Sequence, residues 1–87
     1  MTPNEIVYIR KSLGLTQADF ARLFDVHIMT ISKWERGVAV PSPYQVSLME
    51  QFKLKATHEA EQAKSEVKNL IVGAGVIAAL IWLLSNR

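Results

Sequence analysis

Only two histidines, His27 and His58, stand in this 87-residue chain, and there is no cysteine. The two imidazoles are separated by 31 positions, with no carboxylates converging on either. Metal binding and nucleophilic catalysis need ligands or a nucleophile–base pair brought together, and nothing in the sequence supplies them. His58 reads as a solvated helix residue. Gly73-Ala74-Gly75 lies inside an apolar run with no strand before it, so it is not a phosphate-binding loop. The absence of cysteine excludes a disulfide framework and thiolate chemistry. The expectation is no enzyme, no cofactor and no metal. What remains is recognition chemistry: Gln17, His27, Thr30, Ser32, Lys33 and Arg36 gather hydrogen-bond donors and positive charge in one short stretch.

Those side chains need helices to hold them, and the helix signals are legible. Thr2-Pro3-Asn4-Glu5, Thr16-Gln17-Ala18-Asp19 and Ser42-Pro43-Tyr44-Gln45 each put a hydroxyl at an N-cap with an acid or amide three residues on. Pro3 and Pro43 fall on the first helical position, where a missing N–H costs nothing. Gly14 and Gly37 end the first and third helices, and Pro41 and Pro43 keep the following loop from resuming one. Helices are expected at about 3–12, 16–24, 28–36 and from 43 onward. Between Tyr44 and Val72 there is no glycine or proline, so the last helix is expected to run on unbroken. Ile6, Ile9, Leu13, Phe20, Leu23, Phe24, Ile31, Trp34, Val46, Leu48, Met49 and Phe52 recur at helical spacing as the core. No strand-like alternation appears. The fold class expected is all-α: a four- to five-helix domain over 1–53, a polar helical connector over 54–69, and an apolar helix over 70–84.

Two short helices around a tight turn, the first opening on Thr16-Gln17, form a helix-turn-helix pattern in "LGLTQADFARLFDVHIMTISKWERG". Residues 2–53 resemble the lambda-repressor/Cro-like (XRE) family through Gly14-Leu15-Thr16-Gln17, Phe20-Ala21, Val26, Thr30-Ile31-Ser32 and Trp34-Glu35 with Gly37. The "VPSPYQVSLMEQF" that follows is similar to the small-regulator and antitoxin branch. The resemblance implies that the third helix enters the DNA major groove, with Ile28, Met29, Ser32 and Lys33 facing the bases. Gln17, His27, Thr30 and Arg36 are the implied backbone contacts. Arg10 and Glu35 match positions that pair inside the fold. Two departures stand out. His27 occupies a cap position usually held by Ser or Thr. Ile28 and Met29 are apolar where polar base readers are common, suited to thymine methyl groups or to covering a protein surface.

Charge sets a further limit. The whole chain carries only +2, and residues 1–47 hold five Lys/Arg against four acids. Each neutralised phosphate contributes through counterion release, so one copy binds DNA weakly and a homodimer or higher oligomer on paired half-sites is expected.

The last segment is of another kind. From Leu70 to Leu84 there is no polar side chain. Burial in lipid, in a second copy or against the domain are the three ways to remove it from water. Residues 70–84 would span about 22 Å as a helix, short of a hydrocarbon core of about 30 Å unless the flanks Asn69, Ser85 and Asn86 are included. Trp82 suits an interface, and Gly75 with Ala79 offers a small-xxx-small pair. Lys53, Lys55, Lys64 and Lys68 against Arg87 would keep the N-terminal domain in the cytoplasm. Ala60, Ala63, Val67, Leu70, Ala74, Ile77, Ile81 and Leu84 also follow coiled-coil spacing. Leu70, Ile71, Gly75, Ile77, Ala79, Ile81, Trp82 and Leu84 are thus expected in a membrane or oligomer helix, with insertion into the inner membrane the leading expectation. The N-terminus lacks a secretory signal pattern.

The function expected is a sequence-specific DNA-binding transcriptional regulator of prokaryotic or phage type, a repressor in the first instance. An antitoxin-like role would look the same in these residues, and no toxin-binding segment is identifiable. The alternative is an adaptor that anchors DNA or a protein partner to a membrane through the C-terminal helix.

Overall fold

Three capping boxes set the frame. Thr2, Thr16 and Ser42 accept hydrogen bonds from the backbone N–H of Glu5, Asp19 and Gln45 at 3.2, 3.1 and 3.2 Å. The side chains of those three residues accept the cap N–H in return. The computed structural model describes residues 1–85 as six helices, with no strand among them. They are α1 (Pro3–Ser12), α2 (Gln17–Phe24), α3 (Ile28–Glu35), α4 (Pro43–His58), α5 (Ala60–Gly73) and α6 (Val76–Leu84).

One core joins all six. Phe24 is its hinge point, with Phe20, Trp34 and Phe52 rings centred 4.9, 5.6 and 5.5 Å away. The edge-on packing of the first two suits the aromatic quadrupole. Ile6, Ile9, Leu13, Phe20, Ile31, Met49 and Phe52 are fully buried, whereas Val46 and Leu48 are half-buried. Ala63, Val67 and Ile71 of α5 and Ala79 and Leu83 of α6 complete the same core.

The expected long C-terminal helix is not formed. It breaks at Glu59, whose φ of −133° and ψ of 50° leave the helical region, and again at Ala74–Gly75. Continuing straight would carry residues 70–84 into water. Folding back instead buries Val67, Ile71, Ala79 and Leu83, each worth a sizeable transfer free energy. The return path is tight: α5 crosses over Gly14, where an added Cβ would lie 3.4 Å from the Lys64 carbonyl oxygen, and Gly14 also has φ +70°. Gly75, at φ +103° and ψ 170°, turns α5 into α6 through backbone that L side chains rarely adopt.

The membrane expectation is corrected at this point. Among the described residues no helix is long and apolar enough to cross a membrane. The Leu70–Leu84 run is split between two short helices that lie against α4 and α2. Three of the flanking lysines are used internally, Lys53 lying 3.6 Å from Glu5. Lys68 of α5 pairs with Asp19 of α2. Lys55 is buried, its ammonium 4.6 Å from the Trp82 ring centre, 3.1 Å from Ser85 Oγ and 3.2 Å from Glu59. Trp82 therefore meets a cation of its own chain. Asn86 and Arg87, placed at the membrane end by the sequence reading, lie outside the described residues. The coiled-coil seam also divides, since Ala63 and Val67 are buried in the core but Ala60, Ala74, Ile77, Ile81 and Leu84 are exposed.

Candidate nucleic-acid interface

The three elements of the site are locked by one polar knot. The Arg10 guanidinium donates to Glu35 through Nε at 2.6 Å and Nη2 at 3.0 Å, and to the Leu15 carbonyl through Nη1 at 2.9 Å. Gln17 Nε2 donates to the same carboxylate at 2.9 Å. The knot ties α1, the α1–α2 turn, α2 and α3 together. With side chains only 12% and 7% exposed, the Arg10–Glu35 pair is held in partial shelter from water. Burial pushes the Glu35 carboxyl up, but hydrogen bonds from Arg10 and Gln17 outweigh it and hold the group below its ordinary 4.5. Gln17 thus has its amide nitrogen committed to Glu35, and a phosphate reaching it would meet an already oriented side chain.

Core packing decides which face of α3 looks outward. Ile31 and Trp34 point in, so the opposite face carries Met29, Ser32 and Lys33, with Arg36 at the C-cap beside them and Ile28 at the edge of that face, three residues before Ile31. Ile28 is 41% and Met29 51% exposed, an apolar start to an otherwise polar face. Lys33 is exposed and has no partner among the described residues. Arg36 Nε donates to Ser32 Oγ at 3.1 Å, which holds the guanidinium along the helix end. Thr30 is half-buried.

His27 is the cap of this helix. Its Nδ1 accepts from the Met29 N–H at 3.0 Å, the role a hydroxyl or carboxylate usually fills. The ring is oriented by that bond and stays exposed, leaving its other nitrogen toward solvent.

The structure brings together every α3 residue singled out from sequence, and it seats Gln17, Arg10 and Glu35 behind them. It leaves Leu70, Ile71, Gly75, Ile77, Ala79, Ile81, Trp82 and Leu84 out of that site, on α5, α6 and the turn between them. Two residues not named in the sequence reading, Val38 and Val40, are exposed in the loop after α3. Their signal was present, since β-branched residues between Gly37 and Pro41 have no core to enter. Among the described residues no cluster of His, Asp or Glu could hold a metal.

A short helix packed across a second, with an exposed donor-bearing face and a part-buried ion pair behind it, is the arrangement of a helix-turn-helix protein. Residues 6–52 match the helix-turn-helix family, over half of the sequence, and the chain belongs to that family, in its XRE-type form. Among curated proteins it is similar to Antitoxin HigA-2 of Vibrio cholerae serotype O1 (strain ATCC 39315 / El Tor Inaba N16961). The two are 37% identical over 49 residues, covering 56% of this chain and 47% of that relative. The chain therefore spans about half the length of the curated relative it matches. No solved structure matches it.

Proposed function

We propose that this protein is a sequence-specific DNA-binding transcriptional regulator, a repressor that acts as a dimer with α3 in the major groove. The observation that carries the reading is the outward face of α3. Lys33 stands there with a free ammonium able to donate to guanine O6 and N7, with Ser32 just before it and Arg36 one turn on. Ile28 and Met29 supply apolar contact for thymine methyl groups at the groove floor. Gln17, His27 and Thr30 contact the sugar–phosphate backbone and fix register rather than sequence. The protein works where DNA is, in the cytoplasm of a prokaryotic cell.

Few cations share the work. Arg10 of α1 is committed to Glu35 and Lys33 faces the bases, which leaves Arg36, at the C-cap of α3, as the nearby charge for phosphate. Two copies would neutralise roughly two phosphates through Arg36, and log K should fall with log salt at a slope of roughly −2. The relative's name supports an antitoxin role beside DNA binding, with a toxin as protein partner. The adaptor reading loses its ground, because the segment meant to anchor it is folded onto the domain.

Lys33→Ala is the direct test. Binding of the full chain to its selected duplex, and to single-base variants of it, should weaken by about 1–3 kcal/mol at one or two positions only. Equal loss on every duplex would place Lys33 on phosphate and withdraw the base-reading role.

A further inference from the structure

Of the four lysines that flank the apolar run, the fold leaves Lys64 without a partner. Lys53, Lys55 and Lys68 meet Glu5, Glu59 and Asp19. Lys64 is exposed, and among the described residues no hydrogen bond or ion pair holds its ammonium. Its backbone is held closely all the same. A Cβ added to Gly14 would lie 3.5 Å from Lys64 Cα and 3.6 Å from its Cβ, so α5 crosses the α1–α2 turn at this residue. Ala63 and Val67, on either side of it, are buried, and Lys68 one turn on pairs with Asp19 of α2. Lys64 thus stands on a helix tied down at the crossing, beside the turn.

That turn leads straight into Thr16-Gln17, where the regulator reading seats the sugar–phosphate backbone. Gly14 is three residues before Gln17, a chain length of at most about 10 Å. A lysine's flexible four-carbon stem carries its ammonium about 6 Å from Cα. The Lys64 ammonium therefore reaches the space in front of the start of α2. Local charge favours an anion there. Lys68 neutralises Asp19, the acid in the first turn of α2. Lys11, exposed in the last turn of α1, adds a second cation three residues before Gly14. Its charge helps to lower the Glu35 carboxyl, the group to which Gln17 donates, so it lies on the Gln17 side. Neither Glu61 nor Glu66 of α5 pairs with Lys64.

We infer that Lys64 contacts the DNA backbone, so that α5 extends the nucleic-acid interface beyond the helix-turn-helix. The family match ends at residue 52 and α5 begins at Ala60, so this contact is supplied by the chain's own C-terminal hairpin. The break at Glu59 brings it about: a straight continuation of α4 would carry Lys64 away from Gly14. An ammonium suits the task, since it neutralises a phosphate as a point charge and needs no planar partner. It adds affinity and fixes register without reading sequence. One phosphate per copy joins the one assigned to Arg36. The inference rests on the regulator reading, because it needs a duplex lying against α3 and the start of α2.

The test is a salt titration of the full chain and of Lys64→Gln and Lys64→Arg, each on the duplex the parent selects and on a random duplex of equal length. Lys64 is exposed, and glutamine and arginine form helix as readily as lysine, so the fold tolerates both changes. In Lys64→Gln the slope of log K against log salt should become shallower by about 0.9 for each copy bound. Both duplexes should weaken alike, by about tenfold for each copy near 0.1 M salt, while Lys64→Arg binds as the parent does. A Lys64→Gln slope equal to the parent's would overturn the inference and leave the regulator reading standing. Loss confined to the selected duplex would overturn it too, by placing Lys64 on a base. A parent that binds neither duplex would overturn the regulator reading, and the inference with it.

Discussion

Arg10 and Glu35 contribute to the site without facing it. A pair this sheltered is costly to break by halves, since removing Arg10 leaves the Glu35 charge half-buried with no cation and only Gln17 donating to it. Arg10→Met should therefore lower unfolding free energy by about 3 kcal/mol near neutral pH, read from urea denaturation of parent and variant. The sign with pH follows from the depressed Glu35 group. Its stabilising effect is present above the ordinary value of 4.5 and is lost as pH falls through the lower folded value. The penalty of Arg10→Met should shrink as pH drops below 4.5, because protonation neutralises the stranded carboxyl. A penalty independent of pH would show that the pair's charge is not what it contributes. His27 works at the same scale. His27→Ala deletes the acceptor for Met29 N–H and should cost about 1 kcal/mol, while His27→Asp should keep the cap.

The elements show which local rules were strong enough to read. Thr2, Thr16 and Ser42 start helices because hydroxyl, spacing and proline all agree, and α1 to α3 run within a residue or so of their expected limits. The break at Glu59 carried no such mark. No glycine or proline is there, and the turn exists because α5 gains burial by folding onto α1 and α4. Tertiary packing overrode helix propensity. The tail was opaque for a different reason: when nearly every residue of 70–84 is apolar, periodicity has nothing to contrast, and lipid, partner and own core look alike. The fold resolves it residue by residue, with Leu83 2% and Ile77 74% exposed. Leu83→Ala should then cost about 2–5 kcal/mol in the same unfolding transition as the helix-turn-helix. A variant as stable as the parent would mean α6 is not part of the core. Gly75→Ala should also destabilise, by strain at φ +103°.

At the scale of the whole molecule, a weakly charged helix-turn-helix carries a helical hairpin, amphipathic α5 and apolar α6, packed on α1, α2 and α4. Helix spacing was enough to put Met29, Ser32 and Lys33 on one outward face once Ile31 and Trp34 are inside, with Ile28 at its edge. The Gln17–Glu35 bond and the Lys55–Trp82 contact were not legible, as each joins residues far apart in sequence. With only +2 overall, charge supplies little of the affinity, and the proposed regulator gains it from two copies on matched half-sites. The most direct test is selection of duplexes from a random pool by the full-length protein, with the recovered sites compared between parent and Lys33→Ala. The account predicts a two-fold symmetric site whose half-sites lie about one helical turn apart, with one or two positions relaxed in the variant. Recovery of no common sequence, with binding that depends only on salt, would contradict it.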